Sequence, residues 1–492
     1  MLWQEQSKQG DYGMSRQYKC RNPLNLLSDT EILNIHNKSL QVLEEVGIRF
    51  EDKKALKIMA DNGCEVNHDT SLVKIPSWLV EKSISQCPAD ISLMGRDGQN
   101  EVLFNRDIVQ FGPCSGMQIM DVASEKLRPG KVEDAIRTAC LTDALEIMSG
   151  VNTGLGFISD RPSEINLVWN YAVCCRNSGK IFCLGAMEDS VKWGVRMAEV
   201  TGQDVIIPLS SSSPLMWSAE QIDALYIAAS NHRPVTLQSM ASPGSTAPVT
   251  LSGAAIVMNS EVLAMLTLSQ LLQPGLGVIY SCFTLPMDMR LGTLSSGSME
   301  LSLLNVASAQ LSRHYGLGSM IWGPNTDAKT YDQQAGYEKM MQWLMAAMSG
   351  INLIWGAGMI ENHTIWSDAQ VIVDAEMCNI AGRYLQGTAF GNLDDDLTVI
   401  RDTGHFPNNF LAHDHTLVHL RSEHYIPWIS SRENYEVWIQ MKNKNLMDRG
   451  LEYVNTLLQK HDPTILSPHE NREIETILSM AAKEKGLDSP LG

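Results

Sequence analysis

The chain alternates two hydrophobic patterns. From residue 106 onward, short apolar and β-branched runs recur at 108–111, 146–150, 181–184, 205–209, 235–237, 277–281, 318–322 and 352–355. Runs of this length, bounded by turn residues, predict strands buried on both faces. Apolar positions at helical spacing predict helices over 132–141, 164–178, 190–201, 218–231, 251–272, 297–315, 332–348 and 368–385. Several start at a capping residue and stop at glycine, such as Asp332 with Gly350 and Ser296 with Gly316. Eight strands alternating with eight helices predict an α/β fold, a (β/α)8 TIM-type barrel over 106–387. A doubly wound open sheet would show fewer strands and a GxGxxG turn after the first. Here that turn reads Gly112-Pro113-Cys114-Ser115-Gly116. The stretch PVTLQSMASPGSTAPVT, 234–250, shows the repeating unit clearly: a short strand, then a long uncharged loop that leads into a helix.

The flanks read differently. Residues 1–105 predict an N-terminal α+β cap. Ser28-Asp29 cap a helix near 31–46 that Gly47 stops, and further helices follow at 53–61 and after Pro76. An extended piece lies at 72–75, and a hairpin is expected over 91–104 around Asp97-Gly98. Residues 388–492 hold a His-rich run, 405–424, then a helical tail; they are expected to form a helical extension packed on the barrel.

Composition narrows the function. A chain with 44% hydrophobic and 19% charged residues is an ordinary folded protein. Its net charge of −18 argues against nucleic acid and anionic membranes, since both need a basic face. The longest apolar stretch, 262–272, is too short to span a bilayer, and residues 1–18 lack the apolar core of a secretory signal. The ten cysteines are scattered without a CxxC, which fits reduced thiols in a cytoplasm. No GxSxG elbow and no HExxH occur. His405, His413, His415 and His419 come nearest to a metal cluster, but no Asp/Cys set completes them, and no metal site is expected.

In a barrel the chemistry sits at the C-terminal ends of the strands. Those positions are rich in aromatics, hydroxyls and sulfur and poor in charge: Phe111, Asn152, Ser210–Ser213, Trp217, Gln238, Met240, Tyr280, Phe283, Trp322, Asn325 and Trp355. A neutral aromatic face suits a small organic cation, held by ring quadrupoles.

Several longer segments carry a resemblance. SPLMW (213–217), SPGSTAPVTLSGA (242–254), NSEVLAMLTLSQLLQPG (259–275), DMRLGTLSSGSMEL (288–301), TDAKTYDQQAGYEK (326–339), GINLIWGAGMIE (350–361) and HDHTLVHLRSEHYIPWISSRENYEVW (413–438) together resemble the trimethylamine methyltransferase family. The resemblance implies a TIM-type barrel and methyl transfer from a methylated amine to the Co(I) form of a small corrinoid protein. There is one departure: the trimethylamine enzyme uses pyrrolysine, and no such residue is written here, where 322–332 would be its place. The chain therefore resembles the pyrrolysine-free branch, which demethylates quaternary amines such as glycine betaine, proline betaine and carnitine. A quaternary nitrogen already carries the leaving-group charge, so strong nucleophilic attack needs little covalent help. The protein has to orient the methyl group without over-stabilising a charge that disappears in the transition state.

This implies a cage of Phe111, Trp217, Tyr280, Phe283, Trp322 and Trp355, with Gln238 and Asn325 as polar contacts. Arg290 and Lys329 are the candidates for a substrate carboxylate, with His405 behind them. No covalent catalyst and no tightly bound cofactor are expected; the corrinoid arrives on its own protein. A homo-oligomer is expected. The competing readings are a non-catalytic osmolyte- or corrinoid-binding barrel protein and a metal-dependent barrel hydrolase.

Overall fold

The structure is a computed structural model that describes residues 17–96, 98–105, 107–121, 126–187, 189–388, 390–462 and 466–491. It is an α/β protein organised around a parallel sheet. In spatial order the strands are Phe182–Cys183, Val205–Ser210, Val235–Ser239, Val278–Cys282, Gly318–Trp322, Leu353–Ala357 and Ile108–Pro113. Each pairs in parallel with the next. The segment 146–150 does not form a full strand. It makes single parallel bridges, Phe111 with Met148 and Gly150 with Ile181, backed by Ser149 N–H to the Phe111 carbonyl and Val151 N–H to the Ile181 carbonyl. It thus joins the first strand of this series to the last. The short strand Tyr18–Lys19 runs antiparallel on Ile108 and Val109.

The strands are buried almost end to end because helices cover their outer side. Leu251–Leu272 is the most apolar of these helices, long and apolar enough to span a membrane by composition alone. Within the fold 72% of its most apolar 18-residue window is buried, so it is a core helix.

The N-terminal residues form helices and short strands. Helix Asp29–Gln41 begins at a capping box between Ser28 and Glu31, and Gly47, at φ +80°, ends the π-helical turn that follows. Strands Ile48–Phe50, Leu72–Lys74 and Glu65–Asn67 form a small sheet that strand Met216–Trp217 joins in parallel. The hairpin Ile91–Met94/Glu101–Phe104 packs under the parallel sheet. A Cβ on Gly318 would meet Phe104 at 2.6 Å, and one on Gly277 would meet Ile91 at 3.1 Å. Gly318 starts its strand and Gly277 immediately precedes one, so the hairpin covers the end opposite the strand C-termini. Asp97, expected at its turn, lies outside the described residues.

Beyond residue 387 packing is uneven. Helix Leu446–Lys460 buries Gly450 and Val454, and Pro468–Glu484 buries Ile474, Ile477, Leu478, Ala481 and Ala482. Helices Asp414–Glu423 and Tyr435–Gln440 bury no residue, and Leu393–Thr403 buries only Thr403. The chain beyond residue 387 is therefore packed in its distal half, while the segment nearest residue 387 lies open to solvent. All ten cysteines are free thiols.

Candidate functional site

Strand geometry decides which strand-end residues share a face. Side chains alternate along a strand, and parallel neighbours in register point the same way. The Tyr280 hydroxyl donates to Asn259 Oδ1 at 2.9 Å, and Asn259 lies on helix Leu251–Leu272. Tyr280 thus faces the helical layer, and Ser281 faces inward. Gln238 pairs with Ser281, Ser281 with Met320, Trp322 with Trp355, and Trp355 with Gly112. The inner set at the strand ends is therefore Gln238, Ser281, Trp322, Trp355 and Gly112.

The two indoles meet edge to face, 6.5 Å apart at 62°. Glycine makes their room: a Cβ on Gly112 or Gly150 would come within 2.2 or 2.3 Å of the Trp355 ring. Gly150→Ala should displace that ring and cost about 1–3 kcal/mol by overpacking. Matched denaturant melts and tryptophan fluorescence check this; an unchanged emission spectrum with full stability would refute the placement.

The loops that follow the last two strands complete the cluster. Asn325 is buried, and its backbone N–H is held by Gln342 Oε1 at 3.1 Å. Its side-chain Nδ2 donates to His363 Nε2, which leaves the imidazole proton on Nδ1, 3.5 Å from Cys114 Sγ. The Phe283 ring stands edge-on to His363 at 4.9 Å. Glu361, Asn362 and His363 all have left-handed φ, +49°, +51° and +65°. Three consecutive non-glycine residues in that region are strained. Glu361 N–H to the Ala328 carbonyl and Asn362 N–H to the Thr326 carbonyl hold them there.

Burial, reinforced by the Lys339 charge, pushes the His363 imidazole down to about 3. Burial pushes the Cys114 thiol up to about 11. Both groups are neutral near pH 7, so they are no thiolate–imidazolium pair. The lowered imidazole has a stability consequence. Below the ordinary histidine value of about 6.5 the unfolded chain takes up a proton that folded His363 refuses. Acidification from there toward pH 3 should therefore weaken the fold by about 1.4 kcal/mol per pH unit through this group. His363→Gln should remove that component, seen as a shallower fall of the urea midpoint from pH 7 to 5. Parallel curves for the two proteins would overturn it.

Several buried polar atoms here have no partner among the described residues: Gln238 Oε1, Ser281 Oγ, Trp322 Nε1, Asn325 Oδ1, Trp355 Nε1 and Asn362 Oδ1. Buried polar groups are normally hydrogen-bonded, and a concentration of exceptions marks a place where something else supplies the partner. Gln238 also gives its Nε2–H to Ser210 Oγ at 2.6 Å, which aims its free oxygen. The nearby carboxylates are already engaged. Glu261 takes Ser211, Ser213 and Ser239 hydroxyls and the Leu215 N–H. Glu338 takes Thr326 Oγ1 and the Asp327 N–H; Asp327 takes Ser295 and Ser296. Beneath them Lys339 Nζ sits 3.0 Å from Asp374 and 2.8 Å from the Met359 carbonyl, fully buried.

Of the residues expected in a cage, Phe283, Trp322 and Trp355 come together here, with Gln238 and Asn325. Phe111 does not, because it points outward between Trp343 and Tyr18, with rings 5.5 and 6.1 Å away. Tyr280 is turned away as described. Trp217 belongs to the small N-terminal sheet, and its Nε1 donates to the Glu261 carbonyl at 3.0 Å. The two expected cations are on exposed loops. Arg290 pairs at 2.7 Å with Asp288, whose carboxyl it holds down at about 2. Lys329 Nζ donates to the Asp327 carbonyl at 2.6 Å. His405 is exposed beyond residue 387. His415 and His419 stand with rings 4.3 Å apart, yet among the described residues no group of three His, Cys, Asp or Glu has a metal-binding arrangement. His363 and Cys114 escaped the sequence reading, since neither sits in a motif with a known role.

Comparison with known proteins gives this cluster its context. The profile of the trimethylamine methyltransferase (MTTB) family matches residues 4–486. The trimethylamine methyltransferase MttB of Desulfitobacterium hafniense (strain DSM 10664 / DCB-2) is 30% identical over 475 residues, covering 94% of each chain. The glycine betaine methyltransferase of Desulfitobacterium hafniense (strain Y51) is also 30% identical, over 474 residues, covering 94% of this chain and 98% of that one. Among solved structures, the monomethylamine methyltransferase of Methanosarcina barkeri overlays with a TM-score of 0.45 at 14% identity, covering 91% of this chain and 97% of that one. With a family match running nearly end to end over the fold that holds this aromatic cluster, the chain belongs to the trimethylamine methyltransferase family and is a methyltransferase.

Proposed function

We propose that this is a cytoplasmic (β/α)8-barrel methyltransferase that takes a methyl group from a quaternary amine of betaine type and passes it to the corrinoid of a partner protein. The bridges through 148–150, which link the first and last strands of the sheet, support the barrel reading. Identity does not choose the amine, since relatives named for trimethylamine and for glycine betaine stand equally near at 30%. The chemistry of the cluster is what supports a quaternary amine.

The observation that carries the proposal is the pairing of inward rings with unpartnered polar atoms. Trp322, Trp355 and Phe283 offer ring faces to a cation, each contact worth roughly 0.5–2 kcal/mol. Gln238 Oε1 and Asn325 Oδ1 add partial negative charge without a full anion. The carboxylates around the site are taken up by serine and threonine hydroxyls and backbone N–H groups. A cation bound this way keeps its reactivity, because its charge is lost as the methyl group leaves. The free indole N–H groups of Trp322 and Trp355 are the donors for a betaine carboxylate, in place of Arg290 and Lys329. A neutral His363, held by Asn325, keeps a second positive charge out of the site.

A reduced corrinoid, brought by the partner protein, supplies the nucleophile. It has to approach over the strand C-termini, because the hairpin at 91–104 covers the opposite end. Exposed Met117, Met187, Val249, Met289 and Leu291 on the loops around that opening offer it a soft apolar rim.

A cobalt-spectrum assay tests this. The protein is mixed with a reduced corrinoid protein and a panel of methylamines. Glycine betaine or another quaternary amine should drive cobalt methylation, and trimethylamine should not. Equal or faster turnover with trimethylamine overturns the substrate class. Binding of the amine without any methylation would favour a non-catalytic osmolyte-binding role.

A further inference from the structure

Glu261 is a buried carboxylate without a cation. It lies on helix Leu251–Leu272 behind the strand ends and is wholly buried. Its partners are the Ser211 and Ser239 hydroxyls, each at 2.6 Å, the Ser213 hydroxyl at 2.8 Å and the Leu215 N–H at 2.7 Å. No Lys, Arg or His pairs with it among the described residues. Leu215 is held at φ +52°, a sparsely populated conformation for a residue other than glycine. Burial pushes the Glu261 carboxyl up, so its charge sits there at a cost that the hydroxyls only partly offset. What the carboxylate holds is a pair of strand ends that face the site. Ser210 pairs with Gln238 across two neighbouring parallel strands. Ser211 and Ser239 follow them directly, and by alternation they point the other way, toward the helix. One oxygen, Oε2, takes both hydroxyls. The same hydroxyls accept the Met240 N–H at 3.0 Å and the Ala241 N–H at 3.2 Å, so the chain leaving the second strand is tied to Glu261 as well. On the inner side Gln238 donates to Ser210 Oγ at 2.6 Å and leaves its Oε1 without a partner. The place of that oxygen follows from the spacing of the two strand ends, and Glu261 sets that spacing from behind.

We propose that Glu261 is a positioning residue for the amine site, acting through Ser211 and Ser239 to aim Gln238 Oε1 at the bound ammonium group, a role that rests on the quaternary-amine reading of that site. Three hydroxyls and one N–H converge on a single side chain. An ionised carboxylate is acceptor-only and has about four lone-pair sites, so it can take all four donors; a glutamine amide has half that acceptor capacity and turns two donors of its own toward them. Well-packed apolar residues would hold two strands together without stranding a charge. They would not fix the direction of the serine hydroxyls or, through these, the backbone at 240–241.

A double-mutant cycle on the full chain tests this, with Glu261→Gln, Gln238→Ala and the two combined. Dissociation constants for glycine betaine, proline betaine and carnitine are read from tryptophan emission, and kcat from cobalt methylation. Glu261→Gln should weaken binding of the preferred amine on the order of 10-fold. It should do so without loss of kcat, because Gln238 Oε1 touches a charge that disappears as the methyl group leaves. In the Gln238→Ala background the same substitution should shift the dissociation constant less than about twofold. An unchanged dissociation constant, a fall in kcat, or equal effects in both backgrounds overturns the proposal, since a purely structural carboxylate acts on the folded fraction and not through Gln238. Should Glu261→Gln fail to fold, Ser239→Ala cuts one arm of the clamp and should show the same dependence on Gln238 with a smaller shift. A wild type that binds none of the three amines overturns the quaternary-amine reading and this role with it. Wild-type binding with an additive cycle overturns the positioning role alone.

Discussion

Asp374→Ala should destabilise the protein by about 3–5 kcal/mol. Asp374 and Lys339 form an ion pair at 3.0 Å with both side chains wholly buried. Removing one leaves the other charged and unpaired in a medium that solvates it poorly. The loss should spread to the site. Lys339 also donates to the Met359 carbonyl, and Asp374 accepts the Gly358 N–H at 2.7 Å. These bonds fix the turn that leads to the strained residues 361–363. Lys339→Met should therefore be comparably damaging, whereas Lys339→Met/Asp374→Leu should recover much of the stability, since no charge is then stranded. Denaturant unfolding of the three variants measures this. Additive losses in the double variant would mean that the two groups act independently.

Trp322→Ala should lower kcat/KM for the amine by roughly 10–30-fold while the protein still unfolds cooperatively, as loss of one cation–π contact of up to about 2 kcal/mol requires. Trp322 is only half-buried, and its ring edge has no hydrogen-bond partner among the described residues. Trp355→Ala is a different experiment. That ring fills the space over Gly112 and Gly150, so its removal should also open a cavity and cost about 3–5 kcal/mol. Tyr280→Phe serves as the control. It removes a hydrogen bond to Asn259 in the helical layer and should reduce stability with little change in kcat/KM. If Tyr280→Phe lost turnover and Trp322→Ala did not, the inner face would have been assigned the wrong way round.

That assignment is where sequence and structure part. The alternation of strands and helices, their approximate limits and the family were legible in the chain. Apolar runs, capping residues such as Ser28 and Asp332, and stop glycines such as Gly316 act locally, and local patterns survive into the fold. Long motifs such as those at 242–254 and 326–339 carried the family. The sequence could not say whether Phe111 or Gly112, Tyr280 or Ser281, faces inward. A parallel strand covered on both sides is apolar throughout, so the period of two that would reveal its faces is absent. Only register with neighbouring strands settles it, and register is a long-range property.

The same holds for the charged candidates. Arg290 and Lys329 lie near strand ends in sequence, but their loops carry them outward to Asp288 and the Asp327 carbonyl. His363 reaches the site only because three successive residues adopt left-handed backbone, a conformation imposed by bonds to the loop at 326–328. The segment 390–423 shows the opposite limit. A helical extension is expected there, and helices Leu393–Thr403 and Asp414–Glu423 form. Between them they bury only Thr403, because packing depends on surrounding surfaces that the local pattern does not encode.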